Sequence, residues 1–186
     1  HKRGYRLSGG LVPLKENVSA AILTLMGWDD MCRRGACLID PMCGSATLLL
    51  EGALIALDRA PGLDRNAFGF DRWVGHDEKQ WSAIKSEAKS RTLSALPRGV
   101  EIRGYDSDFR AVRRSQENIS RLGFEGIVRI RCKPLAHLSR PTHRLMKHGL
   151  LVVNPPWGGR MGLKKNLARL YNSLGAKMNK EFLGWQ

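Results

Sequence analysis

The sequence has no window of about 18 consecutive apolar residues, so no segment reads as a membrane-spanning helix. Its opening residues also lack the basic, apolar and small-residue order of a signal peptide; "HKRGYR" reads instead as the middle of something longer. Cysteine is scarce, with four residues at 32, 37, 43 and 132. The first three are too widely spaced for a CxxC zinc pair, and His137, His143 and His148 recur too irregularly to complete a ligand set. Neither a disulfide framework nor a metal site is therefore expected; free thiols in a reducing cytoplasm are. No internal repeat and no low-complexity tract is visible. Acidic residues are few, 17 against 31 Lys and Arg, for a net charge of +14. That excess points to a polyanionic partner, with a merely solvated basic surface as the other reading.

What is present suits one domain: 186 residues, 42% of them apolar. Residues 15–28, "KENVSAAILTLMGW", predict a helix with Val18, Ile22 and Leu25 on one face and Gly27 at its end. Residues 36–39 form a short apolar run expected to be a buried strand, and 46–57 a helix rich in Leu and Ala. A looser insertion of turns and short helix follows, then an exposed helix over 78–93 that "LPRG" stops. Residues 100–105 predict a second strand and 109–122 a helix with Arg110, Arg113, Arg114 and Arg121 on its polar side. "GIVRIRC" and "GLLVVN" predict strands three and four, and 167–182 a last helix. Strands alternating with helices imply an α/β fold with a parallel sheet and right-handed crossovers.

Three features sit where such a sheet binds ligands, at the carboxyl ends of strands. Asp40 ends strand one and "PMCGSAT" turns into the next helix, a geometry that presents backbone N–H groups to a ligand. The turn is not GxGxxG, and a Gly there also serves sterics alone. Asp106 ends strand two, where an acid accepts hydrogen bonds from ribose hydroxyls; Asp106 or Asp108 also suits a helix N-cap. Strand four runs into "NPPWGGRMG". An exocyclic amine on a base is a poor nucleophile, and two acceptors that hold both its N–H bonds would aim its lone pair. The Asn154 side-chain oxygen and the Pro155 carbonyl are such acceptors, and Pro155 and Pro156 stiffen the loop. Trp157 offers a face on which an extruded base can stack.

With these motifs in this order, "HKRGYR", "PLKENVSAAIL", "LIDPMCGSATLLLEGALIA", "FGFDRW", "HDEKQW", "GYDSD", "NPPWGGRMG" and "FLGW", the sequence resembles the S-adenosylmethionine-dependent methyltransferases that carry an NPP-aromatic motif. More narrowly it resembles the THUMP-associated bacterial 23S rRNA guanine-N2 methyltransferases, the RlmL-like group. The resemblance implies a Rossmann-like class I methyltransferase sheet, strand order 3-2-1-4 in the part present, truncated on the C-terminal side. Residues 1–186 would form a single methyltransferase domain, 1–13 being a linker or hairpin after a THUMP domain. It implies S-adenosyl-L-methionine held by Glu16, by Asp40, Pro41, Met42, Cys43, Gly44, Ser45, Ala46 and Thr47, and by Asp106, Ser107 and Asn154. It implies catalysis by Asn154, Pro155, Pro156 and Trp157, with 23S rRNA or another structured RNA as partner, in the cytoplasm. Arg160, Lys164 and Lys165 are candidate phosphate contacts, as are the arginines of the 109–122 helix. The family's GSGT turn has Ala46 for its second Gly here; if that position needs a positive φ, Ala costs about 1–2 kcal/mol. Pro134 stands where an adenine-binding acid is common. Methylation of adenine N6 or of a tRNA guanine, and a non-catalytic RNA-binding module, are the alternatives.

Overall fold

The computed structural model describes residues 3–6, 14–141, 148–156 and 164–186, with only the backbone for 164–166. Four parallel strands form one sheet in the order β3-β2-β1-β4, as expected. They are β1 (Cys37–Asp40), β2 (Glu101–Asp106), β3 (Val128–Cys132) and β4 (Gly149–Leu151). β1 is central and buried at every position, as a short apolar run without alternation predicts. β2 and β3 alternate instead. Ile102, Gly104, Val128 and Ile130 turn to one face, and Arg103, Tyr105, Arg129 and Arg131 to the other, in matched register. β4 is shorter than "GLLVVN" suggested. The Val152 N–H still bonds the Ile39 carbonyl at 2.9 Å, and the chain then leaves the ladder toward Asn154. On the outer edge of β4, Gln186 donates to Gly149 O at 3.0 Å and accepts from Leu151 N at 2.8 Å.

The helices are α1 (Glu16–Leu25), α2 (Trp28–Arg33), α3 (Thr47–Ala56), α4 (Glu78–Ser90), α5 (Phe109–Leu122) and α6 (Lys164–Glu181). α1, α2 and α3 pack with one another, and α3 and α5 lie against the sheet. α5 starts and stops where the sequence predicts. Asp108 caps it by accepting from Arg110 N at 2.9 Å, and Gly123 ends it. α3 is apolar on nearly every side, Thr47 and Glu51 apart, because it is buried on nearly every side. A single 3₁₀ turn, Gly69–Arg72, interrupts the insertion, where Phe68, Phe70 and Trp81 pack as an aromatic cluster with ring centroids 5.0–5.2 Å apart.

Two expectations need correction. The 15–28 helix is two helices. Gly27, at φ 72, breaks the chain direction, and Trp28 begins α2 rather than closing α1. Its buried indole N–H then bonds Gly52 O in α3 at 2.9 Å. Of the expected face of α1, Ile22 packs partly buried against the core, but Val18 and Leu25 are exposed, Leu25 to 87%. The fully buried residues are Glu16, Ser19 and Leu23. Small Ser19 lets α1 approach α3, and its hydroxyl is satisfied by Lys15 O at 3.2 Å, so polarity there does not oppose burial. The four cysteines are free thiols, three of them buried. Among the described residues no helix is long and apolar enough to cross a membrane, and no group of side chains could hold a metal.

Candidate functional site

The carboxyl ends of β1 and β2 are joined by the turn between β1 and α3. Cys43 N bonds Tyr105 O at 2.9 Å, and Gly44 N bonds the Asp106 carboxylate Oδ2 at 2.9 Å. The other oxygen of Asp106 accepts from Asp108 N at 2.9 Å. Asp106 therefore spans the two strand ends, while Asp108 is the helix cap. The turn has positive φ at Gly44 (56°) and Ala46 (64°). A Cβ on Gly44 would meet nothing within 4 Å, so the backbone there borders open space. Ala46 does require the left-handed conformation, and its methyl is fully buried in the core. No side chain caps the N-terminus of α3, which leaves the first N–H groups of that helix for an incoming anion.

Asp40 lies at the base of this turn, 2% exposed, with Met42 N donating to Oδ1 at 3.0 Å. Burial pushes its carboxyl up to about 7; the Met42 hydrogen bond opposes this, and the nearby Asp106 charge adds to it. Cys43 is buried beside these two acids. Burial first, then the Asp40 and Asp106 charges, drive its thiol well above the ordinary range, so it is no nucleophile near neutral pH. Pro41 is buried, Met42 half-buried and Ser107 exposed.

Glu16 and Thr47 meet through a residue to which sequence reasoning gave no role. Arg6 Nη2 donates to Thr47 Oγ1 at 2.8 Å and to Leu14 O at 2.7 Å, and its Nε lies 3.7 Å from Glu16 Oε1. Ser45 Oγ is 3.1 Å from Thr47 Oγ1, and the Asn118 amide in α5 donates to Ser45 O at 3.0 Å. The segment carrying Arg6 is anchored in turn. Arg3 (Nη2 at 3.1 Å) and Tyr5 (hydroxyl at 3.0 Å) both donate to Glu51, a buried carboxylate in the middle of α3. Two of these had a legible signal. Asn118 is an amide on the buried face of α5, and Glu51 interrupts an apolar helix. Arg6 had none, since its partners lie about 10 and 40 residues away.

Asn154 is exposed just beyond β4, and β4 lies directly beside β1. Pro155 and Pro156 are half-buried, and the Tyr171 hydroxyl in α6 bonds Pro156 O at 3.5 Å. Trp157 and Arg160 lie outside the described residues. Lys164 and Lys165 begin α6, with their side chains also outside. Pro134 is exposed after β3, where the preceding Lys133 N bonds Asp106 O at 2.8 Å.

Residues 3–186 match the family model described as RMKL-like, methyltransferase domain. A ribosomal RNA large subunit methyltransferase K/L of Cellvibrio japonicus is 46% identical over 188 residues, covering 100% of this chain and 25% of its own. The protein of the same name from Methylococcus capsulatus is 47% identical over 185 residues, covering 100% and 24%. The chain thus spans about a quarter of the length of these curated relatives. Among solved structures it is similar to a protein described as a methyltransferase and complexed with SAH, at TM-score 0.84 and 32% identity over 99% of this chain and 45% of that one. A Listeria monocytogenes protein named as an N6-adenine-specific DNA methylase superposes at TM-score 0.82 with 29% identity, over 99% and 45%.

Proposed function

The chain belongs to the family of RMKL-like methyltransferase domains, and from that premise we propose that it transfers a methyl group from S-adenosyl-L-methionine to the exocyclic N2 amino group of a guanine in 23S rRNA. The observation that carries the reading is the Gly44 N–H to Asp106 hydrogen bond, with β4 next to β1. It draws the glycine turn and the second-strand acid together at the carboxyl end of the sheet, where Asn154 follows β4.

The residues present suit the cofactor. The uncapped N-terminus of α3 and the open space at Gly44 favour a carboxylate and close backbone approach. Glu16 and the turn 40–47 would hold the methionine part, with Arg6 keeping Glu16 and Thr47 in place. Asp106, with Ser107 beside it, would take the ribose hydroxyls. Bound there, S-adenosylmethionine supplies an electrophilic methyl on a sulfonium.

The chain's own work is at the amine. The Asn154 side-chain oxygen and the Pro155 carbonyl accept its two N–H bonds, orient the lone pair and stabilise the positive charge that grows on nitrogen. Pro155 and Pro156 limit the loop's freedom, and Trp157 stacks on the extruded base. No general base is needed beforehand, because the alkylated nitrogen loses its proton readily. The surplus of basic residues, Arg160, Lys164 and Lys165 among them, serves the phosphates. Residues 1–186 act as one methyltransferase domain, with 1–13 leading from a THUMP domain, in the cytoplasm.

Mass spectrometry of rRNA nucleosides, from cells with and without the full-length gene, tests the substrate. Loss of N2-methylguanosine from 23S rRNA is expected. Loss of a tRNA guanine mark or an N6-methyladenosine instead would reassign it, and absence of any change in RNA methylation would refute it.

A further inference from the structure

On one face of the sheet α3 and α5 pack against β1, β2 and β3; on the other, the described residues cover β1 and β4 more fully than β2 and β3. Over β1 and β4, Cys37, Ile39 and Leu151 pack with Leu138 and Phe182, and Tyr105 of β2 joins the edge of this cluster. Over β2 and β3 the same face carries a groove of about 380 Å³, lined by Arg103, Tyr105, Arg131, Lys133, Ser139 and Arg140 with neighbouring backbone. No carboxylate lines it among the described residues. Arg103 is held by Glu101, Nε to Oε2 at 2.7 Å. The unbalanced charge is that of Arg131, Lys133 and Arg140. Lys133 Nζ lies 5.6 Å from the centre of the Tyr105 ring, so the groove joins cations to an aromatic floor.

Parallel sheets are ordinarily buried on both faces, and alternating Arg in β3 rather than apolar residues is the reverse of what a covering helix requires. The charge is also regional. From 126 to 180 the sequence contains twelve Lys and Arg and no Asp or Glu. The groove adjoins the candidate site, because the backbone N–H of Lys133 bonds the carbonyl of Asp106.

We propose that this half-face of β2 and β3 is a binding groove for the phosphate backbone of the RNA substrate, gripped by Arg131, Lys133 and Arg140. The proposal rests on the reading of RNA as substrate and adds where the strand is held. It differs from the Arg160, Lys164 and Lys165 set, which lies on the far side of β4 in sequence. Arginine and lysine there neutralise phosphates and release counterions, so binding is salt-dependent and indifferent to base sequence.

The test is fluorescence anisotropy of the full-length gene product with a labelled 23S rRNA hairpin, between about 50 and 200 mM salt. The double variant Arg131→Gln/Arg140→Gln removes two exposed cations, and its urea midpoint should match the parent. Its RNA affinity should fall roughly tenfold or more, and the slope of log affinity against log salt should shrink by about 1.4, from about 0.7 per phosphate contact. The comparison variant Arg33→Gln/Arg91→Gln removes the same charge elsewhere and should change affinity by less than about twofold. If the parent binds RNA with a steep salt slope and both double variants behave alike, the groove is not the grip, and another segment of the protein covers it. If the parent shows no salt-dependent RNA binding, the RNA reading itself falls.

Discussion

Replacing Asp40 with Asn should make the protein more stable, and increasingly so as the pH rises. The carboxyl is 2% exposed and has one hydrogen-bond donor, Met42 N. An unfolded chain releases its proton near 3.8, whereas the folded chain holds it up to about 7. Below pH 3.8 both states are protonated and ionisation costs nothing. Between 3.8 and 7 the unfolded state binds fewer protons than the folded one, so stability falls as pH rises. Above 7 the cost is constant, at roughly 4 kcal/mol for a difference of about three pH units. Asn cannot ionise and still offers Met42 an oxygen. The variant's advantage should therefore grow by about 2–3 kcal/mol between pH 5 and pH 8. Urea denaturation of both proteins at the two pH values measures it, since groups common to both cancel in the difference. An advantage identical at pH 5 and pH 8 would mean that Asp40 ionises normally in the folded protein, and the argument from burial would fail.

Gly104→Ala should destabilise by about 1–3 kcal/mol in the same assay, because a Cβ there collides with Leu49 Cδ1 and comes within 2.5 Å of Ile130 Cδ1; an unchanged midpoint would show slack between α3 and the sheet. Ala46→Gly should move stability by less than about 1 kcal/mol. Relief of the left-handed conformation, about 1–2 kcal/mol, is offset by roughly 0.5–1 kcal/mol of added chain freedom and about 0.8 kcal/mol for the lost buried methyl. A gain well beyond that would show that the methyl contributes no packing. Asn154→Ala should abolish methyl transfer and leave S-adenosylmethionine affinity, measured by calorimetry, near that of the parent. Undiminished turnover would refute the acceptor role.

Much of this fold is written in local pattern. α5 was bounded to the residue, because Asp108 and Gly123 are caps whose chemistry is local. β1 and β4 were legible as apolar runs, and the strand order came with the family resemblance rather than from periodicity. The site was half legible. Asp40, Asp106 and Asn154 announced themselves by standing at the ends of apolar runs. Asn118 and Glu51 showed only as polar residues in buried helices, without their partners, and Arg6 did not show at all, since each acts on a residue brought near only by folding.

Sequence alone determined where the first three strands end, the surplus of positive charge and the family, because each of these depends on residue type and order. Only the tertiary structure decided which face of α1 is buried, that Ala46 must be left-handed, and that Asp40 is costly to ionise. It also revealed a groove beside β2 and β3 lined by Arg131, Lys133 and Arg140 and, among the described residues, by no carboxylate. Burial, backbone strain and field all depend on neighbours distant in the chain, and packing chooses those neighbours.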